Sequence, residues 1–345
     1  MPAEGPGGEG ARIDGAQPAA EALALSRLAH DRAAHRRTDD DWLAAAWPDA
    51  RVLVVTTAGL AAVTDGDDRP AVLFVAGREV EDRVRGRVAD DWPGRIFLGE
   101  SDDDARTPYF AVVVDREAPA PAGSRFANLR DVGAEIGELE AGLFTSATAL
   151  VAHHARNGFC PHCGSPSVPT HAGWVRTCTT EGVDLFPRSD PAVIMLVHDG
   201  ADRCVLGRQH VWPEGRFSVL AGFVEAGEPF EAAVVREVGE EVGLAVTDVR
   251  CVASQPWPFP QSLMIGCTAR ATTEDIVRRD DEIAEAYWFT RDEVRQAVTW
   301  DAAVDFERAG GADLPGFGPD GVLKALPGPV SIARQLLDAW VDGRL

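Results

Sequence analysis

Three glutamates stand close together on one short stretch of the chain: Glu237, Glu240 and Glu241, at i, i+3 and i+4. In a helix that spacing turns the three carboxylates to one face within a single turn, where like charges repel and cost stability. A hard divalent cation removes the repulsion, and carboxylate oxygens are the donors that Mg²⁺ or Mn²⁺ prefers. Such cations neutralise phosphate charge and lower the pKa of an attacking water, so the spacing points to metal-assisted phosphoryl or pyrophosphoryl chemistry. A merely solvated acidic helix would ordinarily set Glu against Lys at i+4. The surrounding segment, GFVEAGEPFEAAVVREVGEEVGL (222–244), fits G-x5-E-x7-R-E-U-x-E-E-x-G-U, with U aliphatic, through Gly222, Glu228, Arg236, Glu237, Val238, Glu240, Glu241, Gly243 and Leu244. Ala232, Ala233, Val234, Val235 and Val238 are the expected core-facing side. Arg236 can reach Glu240 at i+4 or Glu228 in the preceding loop, and Gly222 with Gly227 lets that loop turn tightly over the helix N-terminus.

Two further motifs flank this box. Cys160-x2-Cys163, followed by Cys178, has the spacing of three thiolates on one zinc ion. Cys204, Cys251 and Cys267 fall in apolar runs and are expected to be buried as small hydrophobes. Beyond the box, SQPWPFPQS (254–262) combines three stiffening prolines with Trp257 and Phe259, flat faces that suit a nucleobase or nicotinamide ring, and with Ser254, Gln255 and Ser262 as hydrogen-bonding groups. Packing of that Trp and Phe into a core is the competing reading.

The elements that must hold these residues can be read from periodicity. Residues 1–20 are a Gly-, Ala-, Pro- and Glu-rich tail with nothing to bury. An amphipathic helix is predicted near 21–35, then strands at 51–57, 71–76, 95–99 and 109–115, with SDDDA (101–105) as a solvated loop. A helix over 133–156 runs directly into the first cysteines; His153 and His154 near its end point about 100° apart and read as polar groups at a helix terminus that favours cations. Strands follow at 191–199, 204–209 and 217–225, a helix at 229–242, strands near 248–254, 263–270 and 286–290, and a short helix from 291. A Gly- and Asp-rich loop (305–320) and a terminal helix at 331–340 close the chain, and no internal repeat is evident. The fold class is α+β.

Composition limits the function. The 345 residues suggest two or three domains. A net charge of -22 argues against general nucleic-acid or anionic-membrane binding, so a polyanionic substrate must be drawn in by local cations. No apolar run reaches the length of a membrane span and no signal-peptide pattern opens the chain, so a cytoplasmic protein is expected.

The box resembles that of the Nudix hydrolases, which cleave a nucleoside diphosphate linked to another group. SQPWPFPQS resembles the SQPWPFPxS signature of the NADH pyrophosphatase family within them, and LPGPVSIARQLL (326–337) carries a weaker likeness. The order of parts is similar too: an N-terminal α+β domain (21–155), a zinc-ribbon-like segment (156–187) and a Nudix α/β/α sandwich with a C-terminal helix (188–345). The resemblance implies two or three divalent cations, with Glu237 and Glu241 as ligands, Glu240 as ligand or water-orienting group, the carbonyl of Ala221 as a further contact, and Glu282 in DDEIAEAYWF (280–289) as the ligand from outside the box. Whether Glu237, Glu240 or Glu282 takes the proton stays open. It implies substrate contacts from Phe186, Phe223, Gln255, Pro256, Trp257, Pro258, Phe259, Pro260, Gln261, Ser262 and Ala333. It further implies hydrolysis of NADH or NAD⁺ to AMP and nicotinamide mononucleotide, removal of NAD caps from RNA 5′ ends, and a homodimer with shared sites. In one respect the chain departs from the family: the fourth ribbon cysteine is Glu181. That carboxylate can complete a zinc site, His162 or His171 can replace it, or the ribbon can fold without metal. Two other readings are a Nudix hydrolase of an ADP-ribose-like conjugate and a noncatalytic nucleotide sensor, against which the intact carboxylates argue.

Overall fold

Runs of buried β-branched and aromatic residues build two large sheets and one small one. The computed structural model describes residues 23–26, 30–66, 69–88, 92–279, 281–301 and 315–345. The tail expected at 1–20 and most of the 305–320 loop lie outside the described residues.

The first sheet comprises β1 (His30–Asp31), β2 (Arg51–Thr56), β3 (Ala61–Asp65), β4 (Pro70–Val72), β5 (Phe74–Ala76), β6 (Ile96–Ser101), β7 (Pro108–Val114) and β8 (Arg125–Ala127). Its order is β1-β6-β7-β2-β3-β4, with β5 paired to β2 and β8 to β3. Strands β2 and β7 run parallel at its centre. Both faces of this pair are covered, which explains why RVLVVT and YFAVVV are continuously apolar rather than alternating. Leu53, Val55, Ala111 and Val113 pack with Leu143, Phe144 and Val151 on one face; Val52, Val54, Phe110 and Val112 pack with Trp47 on the other. Asp40–Ala46 is helix α1, and Glu138–Arg156, which supplies the first of those covers, is α2.

A three-stranded ribbon, β9 (Ser167–Thr170), β10 (Val175–Cys178) and β11 (Asp184–Leu185), leads to the second large sheet. This contains β12 (Asp190–His198), β13 (Arg203–Gln209), β14 (Leu220–Phe223), β15 (Val246–Trp257), β16 (Ser262–Ala271) and β17 (Ile283–Thr290) in the order β15-β16-β12-β13-β17, with β14 on β12. Helix α3 (Phe230–Glu241) covers one face through Ala233, Val234 and Val238 against Val193, Met195 and Val197. Helices α4 (Arg291–Asp301) and α5 (Ile332–Val341) cover the other through Val294, Leu336 and Trp340 against Ile194, Leu196 and Leu206. The result is an α/β/α sandwich.

The two large sheets share one pairing plan. β12 lies parallel to β16, whose other neighbour is antiparallel β15; β2 lies parallel to β7, whose other neighbour is antiparallel β6. Antiparallel β13 and β14 flank β12 as β3 and β5 flank β2, and β17 lies on β13 as β8 lies on β3. The difference sits between β14 and β15, where the second sheet carries α3. At the matching place between β5 and β6, the described residues of the first sheet form a 3₁₀ turn, Gly77–Glu79, and a four-residue helix, Val80–Arg83.

Several sequence expectations need correction. No helix spans the described part of 21–35: Ala33 takes a left-handed conformation at φ 39°, and the Asp31 carboxylate accepts its N–H at 2.7 Å, removing that donor from any helical ladder. The strand expected at 71–76 is two, because the chain leaves β3 for β2 at Leu73, whose N–H reaches Ala62. On α3, Ala232 and Val235 face solvent. Cys251 is exposed, since β15 is the edge strand and is interrupted by register shifts, whereas Cys204 and Cys267 are buried. His153 and His154 are buried rather than cationic: His154 Nε2–H donates to the Gly173 carbonyl at 2.8 Å while its Nδ1 faces the Arg176 guanidinium at 3.3 Å.

Burial pushes both imidazoles from the ordinary 6.5 down to about 4, with the charge of Arg176 acting in the same direction. The folded protein holds them neutral, and the unfolded chain binds their protons between pH 6.5 and 4. Their contribution is therefore complete above about pH 6.5 and is lost as the pH falls toward 4. The urea midpoint is expected to drop between pH 7 and 5; a flat profile over that interval contradicts the assignment.

Candidate active site

Strand β14 brings the box loop against α3. Ala221 pairs with Ile194 and Gly222 with Val193, fixing the strand on the sheet. A β-carbon at Gly222 would fall on the Glu237 carboxylate, so the close approach of strand and helix requires glycine here. Helix α3 then stops at Gly243, which takes φ 71°.

Of the three box glutamates, Glu241 is 2% exposed, Glu237 is largely covered and Glu240 is open to solvent. Burial pushes the Glu237 carboxyl above its ordinary range; hydrogen bonding to Arg236 pulls it down, and the charges of Glu240 and Glu282 add to the upward push. Arg236 answers this crowding with several charge-assisted bonds. It donates to both Glu228 oxygens at 2.9 and 2.8 Å, to Glu237 and Glu240 at 2.9 Å each, and to the Phe223 carbonyl at 2.9 Å. Both partners expected from the sequence are engaged, and two more besides. Glu282, on the turn before β17, accepts a bond from Gln209 Nε2 at 2.9 Å. These are hard oxygen donors, and the charges of Glu240 and Glu282 help raise the Glu237 carboxyl; such a donor set suits a hard divalent cation rather than a thiophilic ion.

Beside the box lies a cavity of about 510 Å³. Ala221, Glu241 and Ile283 contribute one side, the segment 327–333 including Ala333 a second, and Gln255, Trp257 and Met264 a third. A further wall comes from the N-terminal domain, where the short helix Leu129–Val132 after β8 and its N-cap bring Asn128, Arg130 and Asp131 to the cavity. Sequence reading assigned no chemistry to those three residues, and it also passed over Trp212 and Arg216 on the loop between β13 and β14.

The Pro-rich segment divides its tasks. Gln255 is fully buried, and its amide clamps the C-terminal segment, donating to the Val330 carbonyl and accepting from Ile332 N–H at 2.8 Å each. Trp257 lines the cavity but also packs edge-on against Phe259, at 5.0 Å between centroids. Both rings rest on the core of the N-terminal sheet, with the Arg130 guanidinium 4.2 Å from the Phe259 centroid. Pro256, Pro258, Phe259, Pro260, Gln261 and Ser262 do not line the cavity. Gln261 instead bonds Asp190 at 3.0 Å. Phe186 and Phe223 are 67% and 60% exposed, also away from it.

In the ribbon, Cys160, Cys163, Cys178 and Glu181 converge until their ligand atoms all lie within 4.8 Å of one another, the only such group of His, Cys, Asp and Glu among the described residues. Cys163 and Cys178 sulfurs are 3.5 Å apart, and Glu181 Oε2 is 3.8 Å from Cys160 Sγ. His171 turns to Thr170 Oγ1 at 3.1 Å.

Comparison with known proteins agrees with this architecture. Residues 188–307 match the NUDIX domain, 41–152 the NADH pyrophosphatase-like rudimentary NUDIX domain and 155–181 the NADH pyrophosphatase zinc ribbon domain. The chain is 43% identical over 321 residues to a Mycobacterium bovis protein named NAD-capped RNA hydrolase NudC, covering 92% of this chain and 94% of that protein. The chain belongs to the NADH pyrophosphatase-like family of Nudix hydrolases. A Mycobacterium tuberculosis protein of the same name is also 43% identical over 321 residues, with the same coverage. The human NAD-capped RNA hydrolase NUDT12 is 40% identical over 221 residues, which span 59% of this chain and 48% of that one. Within this Nudix chain, the shared pairing plan of the two sheets now has a name on each side: a Nudix domain with its glutamate helix, and a rudimentary one without. Among the described residues, no helix is long and apolar enough to cross a membrane.

Arg236 bonds five acceptor atoms on four residues, among them the carboxylates of Glu228, Glu237 and Glu240, so Arg236→Ala is expected to cost roughly 1–3 kcal/mol in protein without added divalent cations. Urea titration checks this, and an unchanged midpoint would show that the network contributes nothing to folding.

Proposed function

We propose that this protein hydrolyses the diphosphate bridge of NAD(H), giving AMP and nicotinamide mononucleotide, and removes NAD caps from RNA 5′ ends. The observation that carries this reading is the cavity that places box residues Ala221 and Glu241 beside the aromatic and cationic wall of Trp257 and Arg130. It supplies what a dinucleotide presents: a flat ring and a charged bridge. The names of the relatives at 43% identity support the same substrate class.

In this reading Glu237, Glu240, Glu241, Glu282 and the Ala221 carbonyl hold Mg²⁺ or Mn²⁺. When bound, these cations neutralise the bridging diphosphate and acidify the attacking water. The chain's own residues do the rest. Trp257 and Ala333 orient the substrate in the cavity, Arg130 draws its phosphate charge into an otherwise acidic protein, and Arg236 keeps the glutamates aimed at the bridge while no cation is present. Glu237, whose carboxyl burial raises above its ordinary range, accepts the proton of water as it adds to one phosphorus and the bridging P–O bond breaks. Outward-facing Phe186 and Phe223 contact substrate across a homodimer interface, consistent with aromatic rings left exposed on one chain.

The ribbon cluster holds a structural zinc ion through Cys160, Cys163, Cys178 and Glu181; four protein ligands leave no open position for catalysis. Replacing a thiolate with a carboxylate makes this site harder and weaker than a four-cysteine one.

Two experiments test these assignments. Incubation of NADH with Mg²⁺ or Mn²⁺ is expected to give AMP and reduced nicotinamide mononucleotide, while Glu237→Gln or Glu241→Gln lowers turnover at least about a hundredfold with an unchanged circular dichroism spectrum; intact NADH with both metals, or near-normal variants, overturns the reading. For the ribbon, chelator-free protein is expected to carry about one zinc per chain. Glu181→Cys should retain it longer against EDTA than the natural chain and Glu181→Ala should lose it sooner, and equal retention by all three removes Glu181 from the ligand set.

A further inference from the structure

Arginines in the Nudix domain are mostly neutralised. Arg203 pairs with Asp199 at 2.8 Å, Arg208 with Glu285 at 3.2 Å, Arg236 with Glu228 at 2.8 Å and Arg334 with Asp338 at 2.9 Å. Arg216 differs. Its guanidinium makes no ion pair or hydrogen bond among the described residues, although it lines the cavity beside the glutamate box. Its one polar-aromatic contact is with Trp212, another wall residue, at 6.0 Å from the ring centroid. Arg130, which reaches the same cavity from the short helix Leu129–Val132 of the N-terminal domain, also lacks a side-chain hydrogen bond or ion pair among the described residues and is held over Phe259 and Trp257.

Two arginines therefore line one cavity in a chain of net charge -22. Burial lowers the Arg130 pKa and the charge of Arg216 lowers it further, with Asp131 acting the other way. The acidic residues on the wall are Asp131 and Glu241. Planar guanidiniums bind phosphate oxygens bidentately, and a dianionic group between them removes their mutual repulsion.

We propose that Arg216 is a substrate-binding residue which, together with Arg130, forms a two-arginine subsite for a phosphate group of the substrate. The inference rests on the dinucleotide reading above and adds a specificity determinant to it. That phosphate has two sources: the diphosphate bridge common to all dinucleotides, or a phosphate ester on the adenosine ribose, at the 2′ position in NADP⁺ or the 3′ position in a capped RNA.

The test is calorimetric binding of NAD⁺, NADP⁺ and a short NAD-capped RNA to the full chain without added Mg²⁺ or Mn²⁺, so that no turnover is needed. Arg216→Gln is expected to raise Kd about tenfold for at least one ligand, with Arg216→Lys intermediate and thermal midpoints unchanged. An equal rise for all three assigns the bridge; a rise confined to NADP⁺ or to capped RNA assigns the 2′ or the 3′ phosphate. Unchanged Kd values for all three, or no binding by the natural chain, overturn the proposal. Failure of the dinucleotide reading itself is seen separately, as absence of hydrolysis by the natural chain with metal added.

Discussion

Crowding of negative charge on one turn of α3 is the constraint around which the C-terminal domain is arranged. Glutamates brought this close would push the helix off the sheet unless something positive stood between them. Arg236 does so through bonds to Glu228, Glu237, Glu240 and the Phe223 carbonyl. The same guanidinium ties the loop before the helix to the helix itself. The strand must then pass so near that only hydrogen fits at Gly222. Spacing, loop and glycine are thus three expressions of one electrostatic problem.

A second constraint is that no single domain closes the cavity. The Nudix sheet supplies its floor, the 327–333 segment one flank and the short Leu129–Val132 helix of the N-terminal domain, with its N-cap, another. Gln255 and Trp257 hold these parts together, the first by bonding both Val330 and Ile332, the second by resting on the N-terminal core. The signature segment therefore acts as an internal joint as much as a contact surface. This also explains how a strongly acidic protein presents a cationic wall: Arg130 comes from a domain that carries none of the glutamates.

Much of this was legible in the amino-acid order, and what was not has identifiable causes. The box helix, its glutamate face and the reach of Arg236 follow from 3.6-residue periodicity and so could be placed closely. Central strands such as β2 and β12 stood out because burial on both sides leaves continuous apolar runs. In the described part of 21–35 the expected helix is absent because one local bond, donated by the Ala33 N–H to the Asp31 carboxylate, outweighed an amphipathic pattern. Ala232 and Val235 failed because four consecutive helical residues cannot all face one side, and Cys251 because its exposure depends on which strand lies at an edge. Arg130 and Arg216 went unnoticed for a similar reason: no spacing links residues 86 positions apart that meet only through packing between domains. The ribbon was legible in its cysteines, while the choice of Glu181 over His171 became visible only when the chain folded the carboxylate toward Cys160.

The likeness between the two large sheets has one more consequence. Among its described residues, the N-terminal copy keeps the strand plan intact with a 3₁₀ turn at Gly77–Glu79 and the four-residue helix Val80–Arg83 where its counterpart has a twelve-residue acidic helix. A frame of this kind evidently stands without that insert. Scaffold and chemistry are separable modules, and one copy is free to be remodelled into a wall for its neighbour while the other retains the reactive machinery.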